Sequence, residues 1–92
     1  MKIWKYPIQI TDKQEIEMPE CTEIIHAGLD TVGIPSIWAI IKDGDKPIEK
    51  YTIYVVGTGN SFQGIIGEYI GSFIQGPFVW HVFYETQMLT AS

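Results

Sequence analysis

Trp4, Tyr6, Ile8 and Ile10 fall on every second position at the start of the chain, with Lys5 and Gln9 between them. A period of two belongs to a strand with one buried and one wet face. Pro7 has no amide proton to give a neighbour, which places this strand at a sheet edge or puts a bulge in it. Thr11-Asp12 breaks the run, and alternation resumes over 14–18, where Ile16 and Met18 oppose Glu15 and Glu17 before Pro19. Two strands joined by a short turn are expected. A third is expected over 22–29, where adjacent Ile24 and Ile25 leave the buried face open, followed by a loop over 28–33. From 34 to 41, Ile34, Ile37, Trp38, Ala39, Ile40 and Ile41 put apolar groups on both faces, the pattern of a central, doubly covered strand. Asp43-Gly44-Asp45-Lys46 predicts a hairpin turn, since Gly and Asp tolerate positive φ, with 50–56 as the returning partner.

Gly57-Thr58-Gly59-Asn60 ends that strand, and the glycines within 62–67 allow one short helical turn at most. The segments 69–74 and 78–84 flank Gly76-Pro77 and read as a last hairpin, with Val79, His81 and Phe83 on one face and Phe78, Trp80 and Val82 on the other. The tail 86–92 is expected to fray. The predicted fold is mainly β, all-β or α+β: a strongly bent antiparallel sheet or small open barrel of six or seven strands in a single domain, 1–92.

A chain of 92 residues buries only about 60–65% of its unfolded surface, so a homo-oligomer is expected to supplement its core. Cys21 is alone, which excludes an internal disulfide, and neither His26 nor His81 has metal-ligand spacing to it, so neither a metal nor a cofactor is expected. The opening alternates rather than forming an apolar block, and no apolar run approaches the ~18 residues of a spanning helix. A cytoplasmic protein without a membrane contact is the expectation. All six cations are lysines and the net charge is −5, which argues against sequence-specific nucleic-acid binding: the arginine fork is missing and a polyanion is repelled. A small nucleotide remains compatible, held by backbone amides, lysines and aromatic faces.

His81 has two readings, an imidazole that meets a ligand phosphate or a structural histidine bonded to the next strand. Gly57-x-Gly59 lacks the third glycine of a dinucleotide fingerprint and the Gly-Lys of a phosphate loop. It is either a strand-end turn or a loop whose amides, with Thr58 and Asn60, contact a ligand. With 13% aromatic residues, most rings must be core, but Trp4, Tyr6, Trp38 and Tyr54 are candidates to line a pocket. A base stacked on such a ring gains about 1–3 kcal/mol. Ser36 and Ser61 lack a nucleophile elbow, no nucleophile–base pair is evident, and no catalytic residue is expected. Asp12, Glu15, Glu17, Glu20, Glu23 and Asp30, with Lys13 among them, form either an acidic face for a basic partner or a solvated edge that resists aggregation.

Ile3-Trp4-Lys5-Tyr6-Pro7-Ile8, Ile16-Glu17-Met18-Pro19, Ile37-Trp38-Ala39, Gly57-Thr58-Gly59, Tyr69-Ile70-Gly71-Ser72-Phe73 and Phe78-Val79-Trp80-His81-Val82-Phe83 together resemble a family of small uncharacterised phage and prophage proteins. The resemblance covers almost the whole chain and carries no known active site. It implies a phage origin, and by analogy of class an accessory protein that inhibits a host system. The expectation is a non-enzymatic counter-defence protein that sequesters a small nucleotide-type immune signal. The alternatives are an inhibitor that binds a host defence protein through its acidic face, and a structural or regulatory phage protein without a small ligand.

Overall fold

Seven antiparallel strands make up the computed structural model, which describes residues 1–42, 44–62 and 67–86. They are β1 (Lys2–Pro7), β2 (Lys13–Pro19), β3 (Glu23–Leu29), β4 (Pro35–Ile41), β5 (Ile48–Gly57), β6 (Glu68–Gln75) and β7 (Phe78–Thr86). The expectation of a mainly β fold with six or seven antiparallel strands holds, and the strands divide into two sheets, ordered β1-β4-β3 and β2-β5-β7-β6, that do not close into a barrel. No described residue is helical. The helical turn expected over 62–67 falls largely on residues outside the described ones, as do 87–92 of the expected tail; Thr86 itself ends β7, paired with Tyr51.

As expected, two strands joined by a short connection flank Thr11-Asp12, β1 pairing with β4 and β2 with β5. One pairing differs from the sequence reading: β5 is not the partner of β4, and Asp43 of the turn between them lies outside the described residues. The reason is burial. Ile37, Ala39 and Ile41 of β4 and Tyr51, Ile53 and Val55 of β5 all belong to one core, with Ile24, Met18, Phe73 and Val82. Opposed sheets bury both sets at once, so these turns carry the chain from one sheet to the other instead of folding it back in plane. As expected, β1 lies at an edge and β4 at the centre of its sheet. The inner face of β4 is buried, whereas Trp38 and Ile40 on its outer face are only half-buried.

Strands β3 and β6 bring the sheets together, and each carries a register shift, at Ile25 and at Ile70. Between these irregularities Gly71 lies against the backbone of Ala27, so close that a Cβ on Gly71 would overlap the Ala27 carbonyl oxygen and sit 3.0 Å from its amide nitrogen. A second tie is the Tyr51 hydroxyl, which accepts from the Thr22 amide at 3.1 Å and lies 3.1 Å from the Pro19 carbonyl, holding the turn in which Cys21 takes a φ of 64°.

Asp30 organises the loop before β4. It accepts from the amides of Val32 and Ile34, each at 2.9 Å, and from the Lys5 ammonium at 2.8 Å. The Lys5 bond first, and the Ile34 amide next, hold its carboxyl down at about 2, against an ordinary value of 3.8. A depressed acid stabilises the fold fully above its unfolded pKa and loses that contribution as pH falls through its folded pKa. Thermal melts should therefore show wild type above Asp30→Asn at neutral pH, with the gap closing between about pH 4 and pH 2. An equal gap at pH 2 would show that Asp30 acts through something other than its charge.

Candidate functional site

Strand β5 outruns β2. Their register ends at Lys13 opposite Tyr54, and β5 continues through Val55 and Val56 to Gly57 without a partner on that side among the described residues. The notch so formed is a cleft of about 370 Å³, walled by Tyr54, Phe62 and Trp80, with Asn60, Lys13 and Asp12 as its charged and amide groups. Beyond Asn60 and Trp80 lies a second cleft of about 350 Å³, bounded by Thr58, Pro77, Phe78 and Val79. Both volumes fall in the range, about 300–1,000 Å³, that small-molecule sites occupy.

Gly57 makes the junction of the two clefts. It stands opposite Trp80 in the ladder, and a Cβ there would come within 2.8 Å of the Asn60 Nδ2 and 3.0 Å of the Trp80 ring. Glycine is thus what lets the indole and the amide share one place. The Trp80 Nε1 is the one buried side-chain polar atom among the described residues that lacks a hydrogen-bond partner. An unmatched buried donor costs about 1–3 kcal/mol, so it calls for an explanation beyond packing.

On the outer face of the same sheet, His81 stands between two hydroxyls: Thr58 Oγ1 is 2.6 Å from Nε2, and Ser72 Oγ is 3.0 Å from Nδ1. The Tyr69 hydroxyl continues the chain at 2.6 Å from Ser72. Phe83 packs beside this row, edge-on to Tyr69 with ring centroids 5.6 Å apart, and Phe62 lies over it at 6.4 Å. Such a chain can pass a proton or present hydroxyls to an anion. Ser72 and His81 also have the spacing of a nucleophile and a base, though among the described residues the imidazole bonds to hydroxyls and to no carboxylate that would orient it. Tyr54 instead donates to Glu85 at 2.5 Å, and this bond, before burial, raises its pKa.

Of the residues singled out from sequence, the structure brings together Tyr54, Thr58 and Asn60 at the clefts, with His81 bonded to Thr58. Trp4, Tyr6 and Trp38 belong to the other sheet. Trp4 and Tyr6 are on the inner side of edge strand β1, with Trp4 52% exposed, and Trp38 packs on His26 on the outer side, centroids 5.5 Å apart. The acidic residues are dispersed too: Glu15 faces Thr52 and Glu17 faces Lys50 on the sheet of β2, Glu23 is on β3, and Asp30 is tied to Lys5.

Sequence reasoning missed Ser72, Phe62, Phe78 and the role of Trp80. Ser72 was within reach of it. A two-residue hairpin loop at Gly76-Pro77, with Gly76 at the positive φ of 59° that such a turn needs in first place, counts back to Gln75 opposite Phe78 and Ser72 opposite His81. Among the described residues no three His, Cys, Asp or Glu side chains gather as metal ligands.

Fold and site define a small all-β protein of two packed sheets, with a paired, aromatic-walled cleft at the end of the longest strand. A domain family of unknown function, DUF7352, matches residues 1–90, and the chain belongs to it. No curated protein and no solved structure matches the chain. No described helix is long and apolar enough to cross a membrane.

Proposed function

We propose that this chain is a phage-encoded, non-enzymatic counter-defence protein that binds and sequesters a small nucleotide-type signal in the cytoplasm of the infected host, acting as a homo-oligomer. The cleft at the end of β5 carries this reading: Tyr54, Phe62 and Trp80 offer faces to a planar base, Asn60 an amide for its edge, and Lys13 a cation for phosphate. The absence of arginine and the net charge of −5 favour a ligand with few phosphates over a polyanion.

Calorimetry against a panel of mono- and dinucleotides and ADP-ribose-type compounds tests this directly. Tyr54→Ala and Asn60→Ala should each weaken binding about 10- to 100-fold, the worth of one stacking or amide contact. Trp38→Ala, in the other sheet, should change affinity little. Bound nucleotide recovered by chromatography should be intact. Enzyme-dependent product, lost in Ser72→Ala, would replace sequestration with catalysis by the Ser72–His81 pair. No heat with any nucleotide, together with a host protein captured in a manner that reversal of Glu15 and Glu17 abolishes, would transfer the assignment to an inhibitor using the exposed acidic edge of β2.

A further inference from the structure

We infer that the ligand is bipartite: two planar rings joined by a short linker, one ring in each cleft, with the linker crossing over the residues both clefts share, Gly57, Asn60 and Trp80. This inference rests on the nucleotide reading and narrows it to a dinucleotide class. Three observations carry it. Each cleft, of about 370 and 350 Å³, is large enough to take one ring system. They share Gly57, Asn60 and Trp80, so a ligand filling both must pass over that junction. Each has its own aromatic, Tyr54 and Phe62 on one side and Phe78 on the other, while the Trp80 ring, its centroid 5.9 Å from that of Phe78, serves both.

Gly57 is crowded where the two clefts share their lining. A methyl group there would press on the Asn60 amide and the Trp80 ring, which form the saddle, without blocking the far end of either cleft. The polar groups differ between the two sides: Lys13 and Asp12 belong to the first cleft, whereas Thr58 serves the second. A single mononucleotide has its best match in the first cleft, which holds the lysine.

Titration calorimetry with adenosine and guanosine 5′-monophosphates, with the corresponding dinucleoside monophosphates, and with 3′,3′-cyclic dinucleotides decides the matter. Once one ring is seated, the second binds as an intramolecular event, which raises affinity about 10²- to 10⁴-fold. At least one two-base ligand should therefore bind 100-fold or more tightly than its mononucleotide. Phe78→Ala should bring that ligand to within a few-fold of the mononucleotide while weakening mononucleotide binding far less. Phe78 is 60% exposed, so this variant keeps its fold, which a thermal melt verifies. Gly57→Ala should likewise penalise the two-base ligand more than the mononucleotide. Equal affinities for one- and two-base ligands would overturn the bipartite site while leaving the nucleotide reading standing. No binding by either would remove both.

Discussion

Gly71→Ala is expected to lower the melting temperature by roughly 15 °C or more, or to leave the chain unfolded at ambient temperature. The methyl group has nowhere to go. It would overlap the Ala27 carbonyl oxygen, and the obstacle is backbone in a buried strand, so rotation of a side chain gives no relief. Overpacking of this kind costs about 3 kcal/mol or more when the backbone must move. A domain of this size has a total stability near the lower end of about 5–15 kcal/mol, and each kcal/mol shifts its melting point by roughly 4–8 °C. Ala27→Gly should not rescue the variant, because the clash is with the backbone of residue 27. Gly44→Ala is the control, since a Cβ at Gly44 meets nothing within 4 Å. A Gly71→Ala protein that melts with the wild type would disprove the close contact of β3 and β6.

The second large effect is expected at Tyr51, which is 1% exposed. Tyr51→Phe keeps the ring and removes one oxygen, yet that oxygen accepts the Thr22 amide and lies within bonding distance of the carbonyls of Pro19 and Thr22. Pro19 keeps a donor in the Thr22 hydroxyl, at 2.5 Å, whereas the Thr22 amide is left without an acceptor. A buried donor so stranded costs about 1–3 kcal/mol. The melting point should fall by roughly 10 °C, and hydrogen exchange should accelerate at Thr22 in particular. Uniform acceleration along β5 without a local change at Thr22 would locate the damage in core packing instead.

How far the sequence discloses this molecule follows from the range over which its signals act. Strand identity is local: the alternation of Ile16 and Met18 with Glu15 and Glu17, and of His81 with Trp80, is written in neighbouring residues, and the structure has both. Partner choice is not local. Asp43-Gly44-Asp45-Lys46 says that the chain reverses, but whether β5 returns beside β4 or across from it depends on how Tyr51, Ile53 and Val55 meet Ile37 and Ala39, which no turn encodes. The site follows the same division. Thr58 and Asn60 stand out through their glycine neighbours, and Tyr54 through its aromatic character. The cleft exists because β2 ends before β5 does, a difference in strand length visible only after pairing. Trp4 and Trp38 were singled out by residue type alone, and type cannot tell one sheet from the other.

Within each sheet, an interior strand is made after strands it must join: β4 follows both β1 and β3, and β7 follows both β5 and β6. During synthesis, β1 and β3 therefore leave the ribosome as loose ribbons until β4 slots between them, and β6 waits for β7 in the same way, whereas β5 already has β2 to pair with. Only β3 with β4 and β6 with β7 can zip up as neighbours along the chain; every other seam joins distant segments and closes slowly. Translation speed and chaperone supply should thus govern the yield of this protein more than the stability of its finished form, because the hazard is concentrated in the seconds when its edges have no keystone.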